Sequence, residues 1–232
     1  MDIKLMINKM LLYLCCYIYV VIFMAGEVTM QYFEYGDLEI KYLKSKDKRL
    51  AEAMDRIGLV KRKVIPDLFS ALVNSIVGQQ ISMKAHATIW QRILDKLGEV
   101  TPQAIQTLSA EELQSTGITM RKALYIKNIA QKILSGEFDM ERLSGLPDHE
   151  VIKELSTLNG VGVWTAEMLM IFSMQRMNIL SWNDLAIRRG IMKLYNYEQL
   201  DKQTFEKHRK RYSPYCSVAS LYLWEISKEN SK

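Results

Sequence analysis

Residues 158–170 read L-N-G-V-G-V-W-T-A-E-M-L-M, with Gly160 and Gly162 two apart and directly before an apolar run of helical spacing. Glycine permits positive φ in a tight turn and carries no side chain to hold a bulky partner off the backbone. The amides so freed stand at a helix N-terminus, where unpaired N–H groups and the helix dipole favour an anion. A nucleic-acid phosphate suits that site and would be gripped without regard to sequence. For the glycine pair alone, a tight inter-helix turn built for close packing is the plainer reading. Asp184, in N-I-L-S-W-N-D-L-A-I-R-R-G, opens another helix, and taken alone it is an ordinary N-cap. His86 and His208 read as solvent-facing or packed side chains, and His149 lies beside a turn. The 14 methionines read as core filling.

The elements that must position these groups are helical in period almost throughout. Tyr32 to Tyr42 alternates weakly and is expected to be a short strand or extended arm. Lys46 to Ile57 is amphipathic. Asp67 to Val77 follows Pro66 with an acidic cap, and Ser82 to Leu97 is capped by Ser82 and stopped at Gly98. Thr101-Pro102 opens another helix, Ser109 with Glu112 forms a capping box, and Met120 to Leu134 is basic on one side. Pro147 to Leu158 and a helix from about Trp164 to Met177 flank the glycine turn, making a helix–hairpin–helix. Asp184 to Tyr195 and Phe205 to Trp224 follow. The expected fold is all-α, with two helical lobes and a cleft between them.

With 232 residues, 49% hydrophobic and 25% charged, the chain has material for one large domain or two small ones. The net charge of +5 is compatible with a polyanionic partner without requiring one. Cys15, Cys16 and Cys216 give no disulfide framework and no cysteine quartet for zinc or iron–sulfur, which fits a reducing, intracellular setting. Met10 to Gly26 is an apolar run preceded by Lys4 and Lys9. It reads as an upstream extension lying outside the working domain, as a membrane anchor or as a signal core. Residues 1–29 are therefore set apart from a domain spanning 30–232. Asp2 and Glu27 balance Lys4 and Lys9, so the net charge belongs to that domain.

Four ordered segments together carry a resemblance that none carries alone: S-I-V-G-Q-Q-I-S-M-K-A-H-A-T-I-W (75–90), G-I-T-M-R-K-A-L-Y-I-K-N-I-A (117–130), the glycine hairpin with the Asp184 segment, and Y-S-P-Y-C-S-V-A-S-L-Y-L-W (212–224). Over roughly residues 65–226 the chain resembles the helix–hairpin–helix DNA glycosylase superfamily, in its 3-methyladenine DNA glycosylase II branch. The resemblance implies a single catalytic carboxylate at Asp184 and a base pocket lined by Trp164, Met168 and Trp224. It also implies a wedge at Gln80 that fills the gap left by the extruded nucleotide, and a DNA-phosphate grip at Gly160, Gly162 and Thr165. Backbone carbonyls of Ser156, Leu158 and Val161 match a structural Na⁺ or K⁺ site of the family. The further implications are duplex DNA with alkylated bases as partner, no required cofactor, a monomer, and work in the cytoplasm at the bacterial nucleoid. Membrane association through the apolar segment is the other possibility.

Residue chemistry agrees with those roles. An enzyme acting on a base must flip it out of the stack, which costs least for damaged bases. Indole faces then offer stacking of about 1–3 kcal/mol per base and cation–π attraction to an alkylated, cationic purine. Breaking the N-glycosidic bond builds positive character on the sugar, which one ionised carboxylate stabilises while orienting water. The alkylated base leaves as a neutral species, so no second carboxylate is needed. Trp164 stands where strand-nicking relatives carry a Schiff-base lysine, and nothing in the sequence places Lys122 or Lys193 beside Asp184; no lyase activity is expected. Cys216 replaces a common arginine, and Tyr212 stands where tryptophan is frequent. A non-catalytic helix–hairpin–helix DNA-binding module is the alternative. The K-H-R-K-R run at 207–211 is either a solvated helix face or a basic strip beside DNA.

Overall fold

The computed structural model describes residues 30–229, so the apolar run, Cys15, Cys16 and the proposed extension lie outside the described residues. Residues 32–229 form one compact unit. Twelve α-helices occur among the described residues: α1 (Asp37–Lys46), α2 (Lys48–Ile57), α3 (Leu68–Gly78), α4 (Met83–Leu97), α5 (Pro102–Thr107), α6 (Ala110–Gln114), α7 (Met120–Leu134), α8 (Asp148–Leu155), α9 (Val163–Phe172), α10 (Leu185–Tyr195), α11 (Lys202–Tyr212) and α12 (Cys216–Lys228). A single 3₁₀ turn, Glu141–Gly145, precedes α8.

Local chemistry fixes most helix starts. Asp67, Ser82, Thr101, Ser109, Thr119, Asp184 and Asp201 each accept a hydrogen bond from the backbone N–H three residues on. Such a cap contributes about 1 kcal/mol by satisfying an otherwise orphaned donor. The helices form two groups, one packing α5 and α6 on α7, the other joining α1, α2, α10 and α12. α3 touches α7 of the first group, and also α4 and α9. Its Leu72, Val73, Ile76 and Val77 are all buried, each contributing about 1.5–3 kcal/mol.

α10 and α12 approach at backbone distance. A Cβ on Gly190 would stand 2.2 Å from the Leu223 carbonyl oxygen, so only glycine fits there. α11 carries the basic run, and the structure divides it. Arg209 pairs with Glu206 at 2.9 Å, Arg211 pairs with Asp47 at 2.7 Å, and His208 is buried. Cys216 is buried too, its thiol directed at the Arg209 carbonyl, so this position makes a core contact where a charge is common.

Three expectations need correction. The segment from Tyr32 makes only an isolated bridge, Tyr32 with Lys63, and from Asp37 it is helical. The Glu39 carboxylate accepts the Gly36 N–H at 2.8 Å and starts that helix against the weak alternation. The stretch expected as one helix over Phe205–Trp224 breaks at Ser213-Pro214, where proline lacks the N–H a continuous helix needs. The helix after the glycine turn begins at Val163 and stops at Phe172, short of Met177. The Arg176 N–H turns back to the Met170 carbonyl, and the Arg176 guanidinium ties the following loop to the carbonyls of Leu143, Ser144 and Leu146.

Candidate functional site

α8 and α9 enclose the glycine turn. Gly160 has φ of 85°, and a Cβ there would sit 2.6 Å from the Tyr125 ring, so the turn needs glycine for both conformation and space. Gly162 is different. Its backbone is extended, nothing lies within 4 Å of where its Cβ would be, and it is exposed. It is the N-cap of α9 without offering a cap, which leaves the first amides of that helix free of side-chain acceptors. Gly160 thus serves the fold, while Gly162 leaves the surface open.

The Gln79 side chain donates to the Gly160 carbonyl at 2.8 Å, and the Lys122 ammonium donates to the carbonyls of Val77 and Gln79 at 2.8 and 2.6 Å. Burial, then the nearby Arg121 charge, lowers the Lys122 pKa. The Gln79 bond joins the turn after α3 to the hairpin, and the Lys122 bonds tie the end of α3 to α7. Gln80, next in that turn, is exposed with φ of 58°, a left-handed conformation uncommon outside glycine.

Beside the hairpin lies a cavity of about 870 Å³. Trp164, Met168 and Phe172, four apart on α9, form one stripe of its wall, and Trp224 and Asp184 join them. Phe172 stacks on Trp224 with centroids 5.4 Å apart, and the Arg62 guanidinium lies 6.0 Å from the Trp224 ring while pairing with Glu225. Trp224 is 8% exposed and Trp164 44%, so Trp164 is the indole with an open face.

Asp184 is both an N-cap and a cavity residue. Its Oδ1 accepts the Ile187 N–H at 2.9 Å and the Trp224 indole N–H at 3.2 Å. Its Oδ2 accepts the Trp164 indole N–H at 3.0 Å. The carboxylate is 7% exposed and has no ion-pair partner among the described residues. Three N–H donors therefore fix the carboxylate at the cavity wall. Nearby, Glu167 accepts a hydrogen bond from Ser181, and its pKa is raised chiefly by burial, with Asp184 adding to the effect.

The structure brings Gly160, Gly162, Trp164, Thr165, Met168, Asp184, Trp224 and Gln80 to this one cavity. Thr165 is buried, so the outer surface of the turn is backbone together with Val163 and Trp164. Among the described residues no group of three or more His, Cys, Asp or Glu side chains is placed to hold a metal ion. Backbone carbonyls are another matter. The Leu158 carbonyl accepts the Val161 N–H at 3.1 Å with a lone pair to spare, and Ser156 Oγ is buried without a partner, a setting that suits a monovalent cation. Phe172, Arg62 and Asn74 stand outside the sequence motifs; the four-residue spacing from Trp164 and Met168 is the signal for Phe172.

A family model described as the HhH-GPD superfamily base excision DNA repair protein matches residues 73–214. DNA-3-methyladenine glycosylase 1 of Schizosaccharomyces pombe is 32% identical over 168 residues, covering 69% of this chain and 72% of that protein. The crystal structure of a DNA-3-methyladenine glycosidase from Bacillus halodurans superposes with a TM-score of 0.77 at 36% identity, covering 86% of this chain and 93% of that one. A 3-methyladenine DNA glycosylase of Schizosaccharomyces pombe solved in complex with abasic DNA gives a TM-score of 0.72 at 26% identity, covering 84% of this chain and 100% of that one.

Proposed function

The chain belongs to the HhH-GPD superfamily of base excision DNA repair proteins, and from that premise we propose that it is a monofunctional DNA glycosylase that hydrolyses the N-glycosidic bond of alkylated purines in duplex DNA. The observation that carries this reading is a buried, unpaired carboxylate facing a cavity that also holds an open indole and a glycine hairpin.

In this reading Gln80 enters the duplex as the base swings out, and the free amides at the start of α9 grip a neighbouring phosphate. The base stacks against Trp164 with Met168 and Phe172 beyond it. As the bond to the base lengthens, Asp184 faces the positive charge growing on the sugar and orients the attacking water. Its three N–H donors hold it aimed, so no reorganisation is needed at the moment of reaction. When bound, a Na⁺ or K⁺ at the carbonyls of Ser156, Leu158 and Val161 would add positive charge behind the phosphate grip. A non-catalytic binding module would need this carboxylate only as a helix cap, which does not call for two indole donors at a cavity wall.

Asp184→Asn is the direct test, because asparagine caps a helix as well as aspartate does and so removes charge without removing the cap. Release of 3-methyladenine and 7-methylguanine from methylated duplex DNA falls by about 100-fold or more while the melting temperature holds. Unchanged release refutes the assignment. The lysines agree with hydrolysis alone: Lys122 serves the turn after α3, and Lys193 donates to the Ser227 and Glu229 carbonyls. Borohydride therefore traps no covalent complex with damaged DNA.

A further inference from the structure

The cavity has a second lining, from α3 and α4. Asn74, Ser75 and Gly78 share one face of α3, and His86 of α4 lies beside them. The His86 ring rests on Gly78, where a Cβ would stand 3.2–3.3 Å from its atoms. His86 Nε2 is buried without a hydrogen-bond partner, and among the described residues none engages the Asn74 amide or the Ser75 hydroxyl. Apart from Ser70, the rest of α3 is apolar, and all of it but Leu68 is buried. Three polar side chains with unspent hydrogen-bonding capacity thus line the cavity that holds Asp184.

We propose that Asn74, Ser75 and His86 form a wall that reads the hydrogen-bonding edge of the extruded base and so sets which alkylated purine is preferred. This rests on the glycosylase reading above. Stacking on Trp164 hardly distinguishes one base from another, since every base has a π face. Edges differ. On its pairing edge 7-methylguanine carries O6, N1–H and the 2-amino group, whereas 3-methyladenine carries N1 and the 6-amino group. Each polar group that enters the cavity loses water and must find a partner there. An amide, a hydroxyl and an imidazole each both donate and accept, so the wall can meet either edge by rotation. The larger polar edge depends on it more.

The test is single-turnover release of both bases from the same methylated duplex DNA by wild type, Ser75→Ala, Asn74→Leu, His86→Phe and His86→Gln, with melting temperatures measured in parallel. Ser75→Ala, Asn74→Leu and His86→Phe are each expected to lower 7-methylguanine release about tenfold and 3-methyladenine release less than threefold, a change in selectivity that a lost hydrogen-bonding partner produces. His86→Gln, which keeps a donor and an acceptor, retains a ratio close to that of wild type. Equal losses of both bases, an unchanged ratio in every variant, or a selective loss of 3-methyladenine overturns the wall's role while leaving the glycosylase reading intact. A wild type that releases neither base overturns the parent reading and this one with it. Ser75→Ala removes a single oxygen, so it decides the matter even if a bulkier change disturbs folding.

Discussion

The two indole N–H groups on Asp184 come from different helices, α9 and α12, and meet opposite oxygens of one carboxylate. Replacing Trp164 by phenylalanine keeps a stacking face and deletes one of these donors. Base release is expected to fall about tenfold, the scale of a hydrogen bond to a charged group, while affinity for an abasic-site duplex changes less than threefold. A loss confined to affinity would assign Trp164 to stacking alone. Asp184, Trp164, Met168 and Trp224 were legible from sequence because each sits in a short ordered motif. The grouping of Asn74, Ser75 and His86 was not, because even within the 75–90 segment such side chains read as ordinary helix-face or packed residues. The only local sign was two polar residues interrupting an apolar run, and their shared cavity depends on how α3 meets α4 and α9.

Among the elements, the glycine hairpin separates folding from binding in a way that two small substitutions expose. Gly162→Ala places a methyl in open space on an extended backbone, so the melting temperature stays within about 2 °C while duplex affinity falls. Gly160→Ala forces a side chain onto a positive φ and into the Tyr125 ring, and is expected to destabilise the protein by about 2 kcal/mol. Denaturant titration and filter binding on both variants check the pair; equal behaviour would contradict the division of labour. Helix starts were the most legible part of the fold because capping is local, as Ser82, Ser109 with Glu112, and Asp184 show. Helix ends set by tertiary contacts were less so. α9 stops at Phe172 because the Arg176 loop folds back on the 3₁₀ turn, and no neighbouring residue announces that.

At the scale of the molecule, a second polar cluster lies around α11. Burial pushes the Asp47 carboxyl up, but the Tyr195 hydroxyl, the Leu50 N–H and Arg211 outweigh it and hold it below the usual range. Close by, burial lowers the His208 pKa to about 4; the Arg211 charge acts in the same direction and Asp47 against it. The rings of Tyr195, Tyr197 and Tyr212 surround it. The folded value lies below the 6.5 of an ordinary histidine. The stabilisation from a neutral ring is therefore complete above about pH 6.5 and is lost as pH falls toward 4. The melting temperature should drop by about 3 °C per pH unit below pH 6.5, and His208→Phe should flatten that slope. Identical slopes would remove His208 as the cause. Among the described residues no helix is long and apolar enough to cross a membrane.

The backbone-to-backbone seat of Gly190 on Leu223 bears on how such a protein can diversify. α10 carries Asp184 at its head and α12 carries Trp224 one residue past the contact, so these two groups are pinned at a spacing with no slack. Variation that retunes damage preference must then enter from elsewhere, through side chains whose replacement leaves that crossing untouched. A lineage exploring new lesions would be expected to accumulate its changes along the opposite bank, with the carboxylate and its indole inherited as one fixed piece.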